Sequence, residues 1–190
     1  MRSSGVIARH MQQNFYMQKN IQLTHSDHQA GNNKFPLIII ANDLNSPLNV
    51  GSLFRLCDAL GINRLYLCGD TPALPSAKIN KTSRSTEKYV DYEYQPGAEA
   101  IVSKLKSSGS LIVSLEITSS SIAISSEEFN AALKNKQPVC LILGSENSGV
   151  SKSLLSLSDI TVHIPMYGSN SSMNVISAAS IACFEITRQM

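Results

Sequence analysis

The stretch PLIIIANDLNSPLNVGSLFRLCDALGINRLYLCG, residues 36–69, holds the reading on which the fold depends. Its first run, LIIIA at 37–41, is apolar and β-branched, as a buried strand requires. A segment of helical period follows at about 48–60. Ser46 and Pro47 suit its start and Gly61 suits its end. RLYLCG at 64–69 then reads as a second strand, completing a β-α-β unit.

The same alternation runs to the end of the chain. A basic helical segment is predicted near 78–87, a strand at 89–94, a helix from Pro96 to about Ser108 closed by Gly109, and a strand at 110–117. A serine-rich turn leads to a short helix whose Ser125 and Glu128 have capping-box spacing. Strands at 138–144 and 160–164 and a helix from about Ser172 to Arg188 complete the series. This order predicts an α/β fold: an open, mostly parallel sheet with helices on both faces. No internal repeat is present.

Composition agrees. With 43% hydrophobic and 16% charged residues in 190, the chain can bury a sizeable core, which excludes a wholly disordered protein. No run approaches the roughly 18 apolar residues that cross a bilayer, and the N-terminus lacks a secretory signal's apolar core, so a cytoplasmic protein with no membrane partner is expected. Cys57, Cys68, Cys140 and Cys183 lie far apart among apolar neighbours and read as buried thiols.

A net charge of +2 is too small to announce a nucleic-acid partner, so its distribution matters more. Residues 1–35 form a basic polar extension, with Arg2, Arg9, Lys19 and Lys34 against Asp27 alone; the domain proper is expected over 36–190. Within the extension Ile7, Met11 and Phe15 recur at steps of four in a weak helical pattern. His25 and His28 have no further ligands nearby, and no metal is expected. Inside the domain Lys78, Lys81, Arg84 and Lys88 recur at steps of 3, 3 and 4, which would put four cations on one face of a helix. A solvated face is the plain alternative to an RNA contact there.

Open parallel sheets bind ligands beyond the carboxyl ends of their strands, which directs attention to the segments after residues 41, 144 and 164. Each combines glycine with uncharged polar groups. GSENSGVS at 144–151 superficially resembles a phosphate loop, but Val150 stands where the lysine belongs and Glu146 would set a carboxylate among the phosphates. A nucleoside triphosphate is disfavoured; a ligand carrying donors or positive charge, such as the sulfonium of S-adenosylmethionine, suits the loop better. Taken singly, Arg55 reads as surface charge with Asp58 as its local partner, and Asn49, Ser172 and Asn174 read as helix-capping groups.

Together the three segments resemble the TrmH (SpoU) family of S-adenosylmethionine-dependent RNA ribose 2′-O-methyltransferases. The resemblance rests on N-x-G-x-x-x-R at Asn49, Gly51 and Arg55, on LILGSENSG at 141–149 with Glu146, and on IPMYGSNSSMN at 164–174, and it covers about residues 36–190. Met173 stands where the family usually has leucine. The resemblance implies a SPOUT-type fold with a C-terminal trefoil knot, and a homodimer whose active site is assembled across the interface. Ser177, Ala178, Ala179, Ser180 and Ala182 would keep the last helix slim enough for close packing. It also implies that backbone groups of Leu143, Gly144, Ile164, Met166 and Met173 hold the cofactor, and that Asn49, Arg55, Glu146, Ser172 and Asn174 surround the target ribose and its phosphate. The RNA would be tRNA or rRNA, with Lys78, Lys81, Arg84 and Lys88 as RNA contacts. No separate RNA-binding domain is expected before the core.

Arg55 is often assigned the base in this family. A free guanidinium, with a pKa of about 13.8, costs roughly 9 kcal/mol to deprotonate at pH 7, so a phosphate grip that also stabilises developing alkoxide charge is the preferred role. Two other readings stand beside the enzyme: a non-catalytic RNA-binding module on the same scaffold, against which the intact site residues argue, and a nucleotide-binding α/β protein, which Val150 weakens.

Overall fold

The computed structural model describes residues 21–27, 31, 33–135 and 137–190, apart from the His25 side chain. Ile7, Met11, Phe15, Arg2, Arg9, Lys19 and the His25/His28 pair of side chains lie outside what is described. A 3-10 turn covers His25–Asp27, and Asn33–Met190 is a separate unit.

Within that unit the strands are β1 Phe35–Asn42, β2 Ile62–Cys68, β3 Tyr92–Gln95, β4 Leu111–Leu115, β5 Ile122–Ala123, β6 Val139–Leu143 and β7 Ile160–His163. The helices are α1 Pro47–Ala59, α2 Ala77–Ser83, α3 Glu99–Ser107, α4 Glu127–Leu133, α5 Lys152–Leu157 and α6 Val175–Arg188. The sheet runs β3-β2-β1-β6-β4-β7-β5, and every pairing in it is parallel. The expectation of a mostly parallel sheet is met and exceeded.

Strand residues alternate between two apolar layers, because side chains in a strand point to opposite faces in turn. Leu37, Ile39, Leu65, Val113 and Leu141 meet Leu53 and Phe54 of α1, Phe129 of α4 and Ala182 and Ile186 of α6. Ile38, Ile40, Ile112, Cys140 and Ile142 meet Val102 of α3 and Leu154 of α5 on the other face. Helices therefore cover both faces. All four cysteines are free and buried within these layers. Burial pushes the thiols of Cys68, Cys140 and Cys183 up to about 12 and raises that of Cys57 as well, so none is a thiolate at neutral pH.

The decisive β-α-β unit forms as expected. Ser46 caps α1, accepting the Asn49 amide, and Pro47 occupies the first turn. Gly61 ends it in a left-handed conformation (φ 59°), where a Cβ would stand 2.6 Å from the Asn33 carbonyl oxygen. Gly51 has a different task. A Cβ on it would lie 2.7 Å from both the Ile79 carbonyl oxygen and Thr82 Cβ, so glycine lets α1 cross closely over α2.

Several boundaries differ from the sequence reading. The basic helix stops at Ser83: the Thr86 hydroxyl donates to the Ser83 carbonyl at 2.7 Å, and Arg84 and Ser85 turn left-handed at φ 52° and 71°. Serine and threonine side chains here compete for the backbone groups that a longer helix would use. Lys88 falls in a separate 3-10 turn, Thr86–Lys88, so the four cations do not share one helix face. β3 begins at Tyr92 and not at 89, α3 begins at Glu99 and not at Pro96, and β4 ends at Leu115. Ser126, not Ser125, caps α4 by accepting the Phe129 amide. The final helix starts at Val175 with Asn174 as its cap. α5 and β5, six and two residues long, carry too little periodicity to be legible.

Candidate active site

β1, β6 and β7 all end on the same edge of the sheet, and the connections leaving them bring the three unusual loops together. After β6 the backbone folds on itself through paired Ser145 and Gly149 hydrogen bonds of 3.1 and 2.9 Å. Gly144 is required there because a Cβ would overlap the Gly149 carbonyl group. The tip of this loop presents Glu146.

The Glu146 carboxylate reaches across to the start of α1. Its Oε2 accepts the Asn45 amide at 2.8 Å, and its Oε1 accepts the Asn49 side-chain amide at 2.7 Å and the Ser46 amide at 3.3 Å. Partial burial pushes the carboxyl pKa up, but these hydrogen bonds outweigh it and hold Glu146 below the usual carboxylate range. The Asn49 side-chain oxygen in turn accepts from Asn174 Nδ2 at 3.3 Å. Asn174 uses its own Oδ1 to cap α6, accepting the Ile176 and Ser177 amides. One hydrogen-bonded chain, Glu146 to Asn49 to Asn174, thus ties the loops after β6, β1 and β7.

Arg55 and Ser172 are not in that chain. Arg55 lies exposed on α1 and makes no ion pair among the described residues; the local pairing with Asp58 does not form. Ser172 is exposed and does not cap the helix. Leu143 and Gly144 are buried at the end of β6, whereas Ile164, Met166 and Met173 are half-buried in the loop after β7. No backbone group of residues 164–173 is hydrogen-bonded to another backbone group among the described residues. Such a loop keeps its amides and carbonyls free for a ligand.

The sequence reading missed the residues that hold this arrangement. Asp43, left-handed at φ 55°, accepts the Asp70 amide at 2.9 Å. Thr71 accepts the Leu44 amide and donates to the Ala41 carbonyl, both at 3.0 Å. Glu116 accepts the Val150 amide at 2.9 Å beneath the second loop, and Asn45 Nδ2 donates to Ser145 Oγ at 3.1 Å. Only the N-D-L-N run at 42–45, dense in side chains that bond their own backbone, gave any signal of this.

Fold and site together define a parallel α/β protein whose ligand loops gather beyond the carboxyl ends of β1, β6 and β7. The family model described as "SpoU rRNA Methylase family" matches residues 36–184, and the chain belongs to that family. It is 30% identical over 158 residues to the 23S rRNA (guanosine-2′-O-)-methyltransferase RlmB of Blochmanniella floridana, covering 83% of this chain and 59% of that protein. The tRNA (guanosine(18)-2′-O)-methyltransferase of Thermus thermophilus is 28% identical over 153 residues, 80% of this chain and 75% of that protein. The crystal structure of the SpoU methyltransferase AviRb from Streptomyces viridochromogenes in complex with AdoMet superposes with a TM-score of 0.70 at 27% identity, covering 82% of this chain and 60% of that one.

Proposed function

We propose that this chain is an S-adenosylmethionine-dependent methyltransferase acting on the ribose 2′-hydroxyl of a nucleotide in tRNA or rRNA. The observation that carries the reading is the Glu146–Asn49–Asn174 chain, which orders uncharged amides beside a family site without adding a side chain of its own chemistry. The residues present fit the cofactor: backbone groups over 164–173 without a backbone partner among the described residues and a glycine-closed loop at 144–149 suit a ligand held by main chain. Leu143, Gly144, Ile164, Met166 and Met173 would hold it. When bound, S-adenosylmethionine supplies an electrophilic methyl group.

The protein's own task is to align the hydroxyl and handle its proton. Asn49 and Asn174 orient the ribose, Ser172 contributes an exposed hydroxyl, and Arg55 grips the neighbouring phosphate through its planar fork. Glu146 acts as a positioning residue, since its oxygens are committed to Asn45, Ser46 and Asn49.

A C-terminal trefoil knot belongs to the same reading. β7 lies between β4 and β5, strands consecutive in the chain and joined by residues 116–121, so the later strand enters a gap already spanned by a connection. Homodimer formation is supported by α6, which leaves Ile181 43% and Phe184 59% exposed beside Tyr167 at 97%, around a groove of about 500 Å³. Arg55 would then complete a site shared between protomers. Lys78, Lys81, Arg84 and Lys88, all exposed next to exposed Tyr89, would track the RNA backbone. No helix among the described residues is long and apolar enough to cross a membrane. Action on RNA in the cytoplasm is part of the same proposal.

The test is transfer of tritiated methyl groups from S-adenosylmethionine to purified tRNA and rRNA, followed by mapping of 2′-O-methyl positions. Label in RNA at the ribose supports the proposal. RNA binding without transfer by the intact dimer would convert it to the non-catalytic module. Sedimentation of a fully active monomer would remove the shared site.

A further inference from the structure

The connection between β4 and β5 has no part in the family motifs, yet the strand order sets it between the two loops that would hold the cofactor, because β4 lies between β6 and β7. It is fastened on both sides. At one end Glu116 Oε2 accepts the Val150 amide at 2.9 Å, against the loop after β6. At the other end Ser121 Oγ and His163 Nδ1 are hydrogen-bonded at 2.9 Å, at the end of β7. Between these anchors the Thr118 amide donates to Ser121 Oγ at 3.0 Å and the Thr118 carbonyl accepts from it at 3.0 Å. The Thr118 hydroxyl is left over. Its Oγ1 is shut off from solvent and has no hydrogen-bond partner among the described residues.

A buried hydroxyl with nothing to bond destabilises a fold, so such groups stand in need of a partner. Building on the methyltransferase reading, we propose that the Thr118 hydroxyl is a cofactor-binding group that hydrogen-bonds the nucleoside half of S-adenosylmethionine. The two halves of that molecule differ in what they demand. The amino-acid half carries an ammonium and a carboxylate, which require opposite charge or water. A dry, uncharged hydroxyl matches a neutral polar atom of the purine or ribose, and it can donate or accept there. The nearest carboxylate in sequence, Glu116, is already taken by the Ile117 and Val150 amides.

Thr118→Val removes the hydroxyl and keeps the β-branched shape. Isothermal titration of the full chain with S-adenosylhomocysteine and with 5′-methylthioadenosine, which lacks the amino-acid half, should show both weakened by the same factor of about three to ten. Thr118→Ser, which keeps the hydroxyl, should stay within about twofold of the parent. The ligand-free Tm of Thr118→Val should be unchanged or higher, because valine leaves no polar atom unsatisfied. Parental affinity in Thr118→Val, weakening confined to S-adenosylhomocysteine, or a valine variant that melts several degrees lower or fails to fold would each overturn the proposal. A parent protein that binds neither ligand would instead refute the methyltransferase reading on which it rests.

Discussion

Glu146→Ala separates the cost of positioning from the cost of folding. The substitution takes the acceptor from three donors at once: the Asn45 and Ser46 amides and the Asn49 side chain. In a buried site each bond to a charged group would be worth about 1.5–3 kcal/mol. Glu146 is exposed and water can replace the carboxylate, so the whole loss is discounted to about 1 kcal/mol, a fall in Tm of about 2–4 °C for a chain of this length. Turnover should suffer more. Asn49 loses the bond that fixes its amide, Asn174 loses a fixed partner, and a displacement of about 1 Å at reacting groups costs about 10²-fold. The expected result is kcat down by about 10² with binding of S-adenosylhomocysteine retained. Glu146→Gln keeps one acceptor oxygen and should fall between. The assays are single-turnover methyl transfer and thermal unfolding. Full turnover in Glu146→Ala would refute the positioning role, and a Tm lowered by more than about 10 °C would show the carboxylate to be part of the folding core. The pH dependence has a definite sign. The folded pKa is depressed, so the stabilisation is present above the ordinary carboxylate value and is lost as pH falls through the lower folded value; Glu146 should not titrate in activity between pH 6 and 8.

Gly51→Ala should gain about 1 kcal/mol of helix propensity and lose more to the Ile79 carbonyl and Thr82 Cβ at 2.7 Å, for a net destabilisation of about 1–3 kcal/mol read by denaturant unfolding. Arg55→Lys should lose most RNA methylation without a change in Tm, since Arg55 is exposed and unpaired among the described residues; an active lysine variant would show that charge suffices without the fork. Lys81→Ala/Arg84→Ala should flatten the salt dependence of RNA binding by about 1 to 2 log units per log unit of salt and leave cofactor affinity intact. An unchanged slope would mark those cations as a solvated face.

The sheet was legible because LIIIA, RLYLCG and PVCLILG are apolar runs separated by segments long enough to cross over, which leaves few options besides parallel strands covered on both sides. Strand order was not legible, since nothing in local periodicity says that β7 lies between β4 and β5. The candidate site residues could be picked out in the sequence, but their wiring could not. Glu146 and Asn174 stand 97 and 125 residues from Asn49 along the chain, and only the fold brings the three into one hydrogen-bonded chain. Asp43, Thr71 and Glu116 escaped notice because a residue that braces a loop looks, in sequence, like any surface polar group. The basic segment misled for a local reason: a spacing of 3, 3 and 4 is helical only while the helix lasts, and KTSRST ends it at Ser83.

On the proposed methyltransferase reading, the wiring also narrows the question of which group receives the proton from the 2′-hydroxyl. Glu146 is the one carboxylate in the hydrogen-bonded chain, but its oxygens are occupied by three donors and its pKa is held down, so it is a poor acceptor at neutral pH. The thiols are buried within the core, which pushes those of Cys68, Cys140 and Cys183 up to about 12 and raises that of Cys57 well above its usual value. Asn49, Asn174 and Ser172 offer amides and a hydroxyl, which orient but do not take a proton. A guanidinium is charged throughout the physiological range, and forcing Arg55 to act as base would cost roughly 9 kcal/mol before any chemistry began. What the chain supplies is a fixed amide at Asn49, a fixed amide at Asn174 and an exposed cation at Arg55, all suited to stabilising negative charge as it grows on oxygen. Proton loss to water or to a phosphate oxygen of the RNA, late in the transfer, is the path that asks of each residue only what its bonding leaves it able to do.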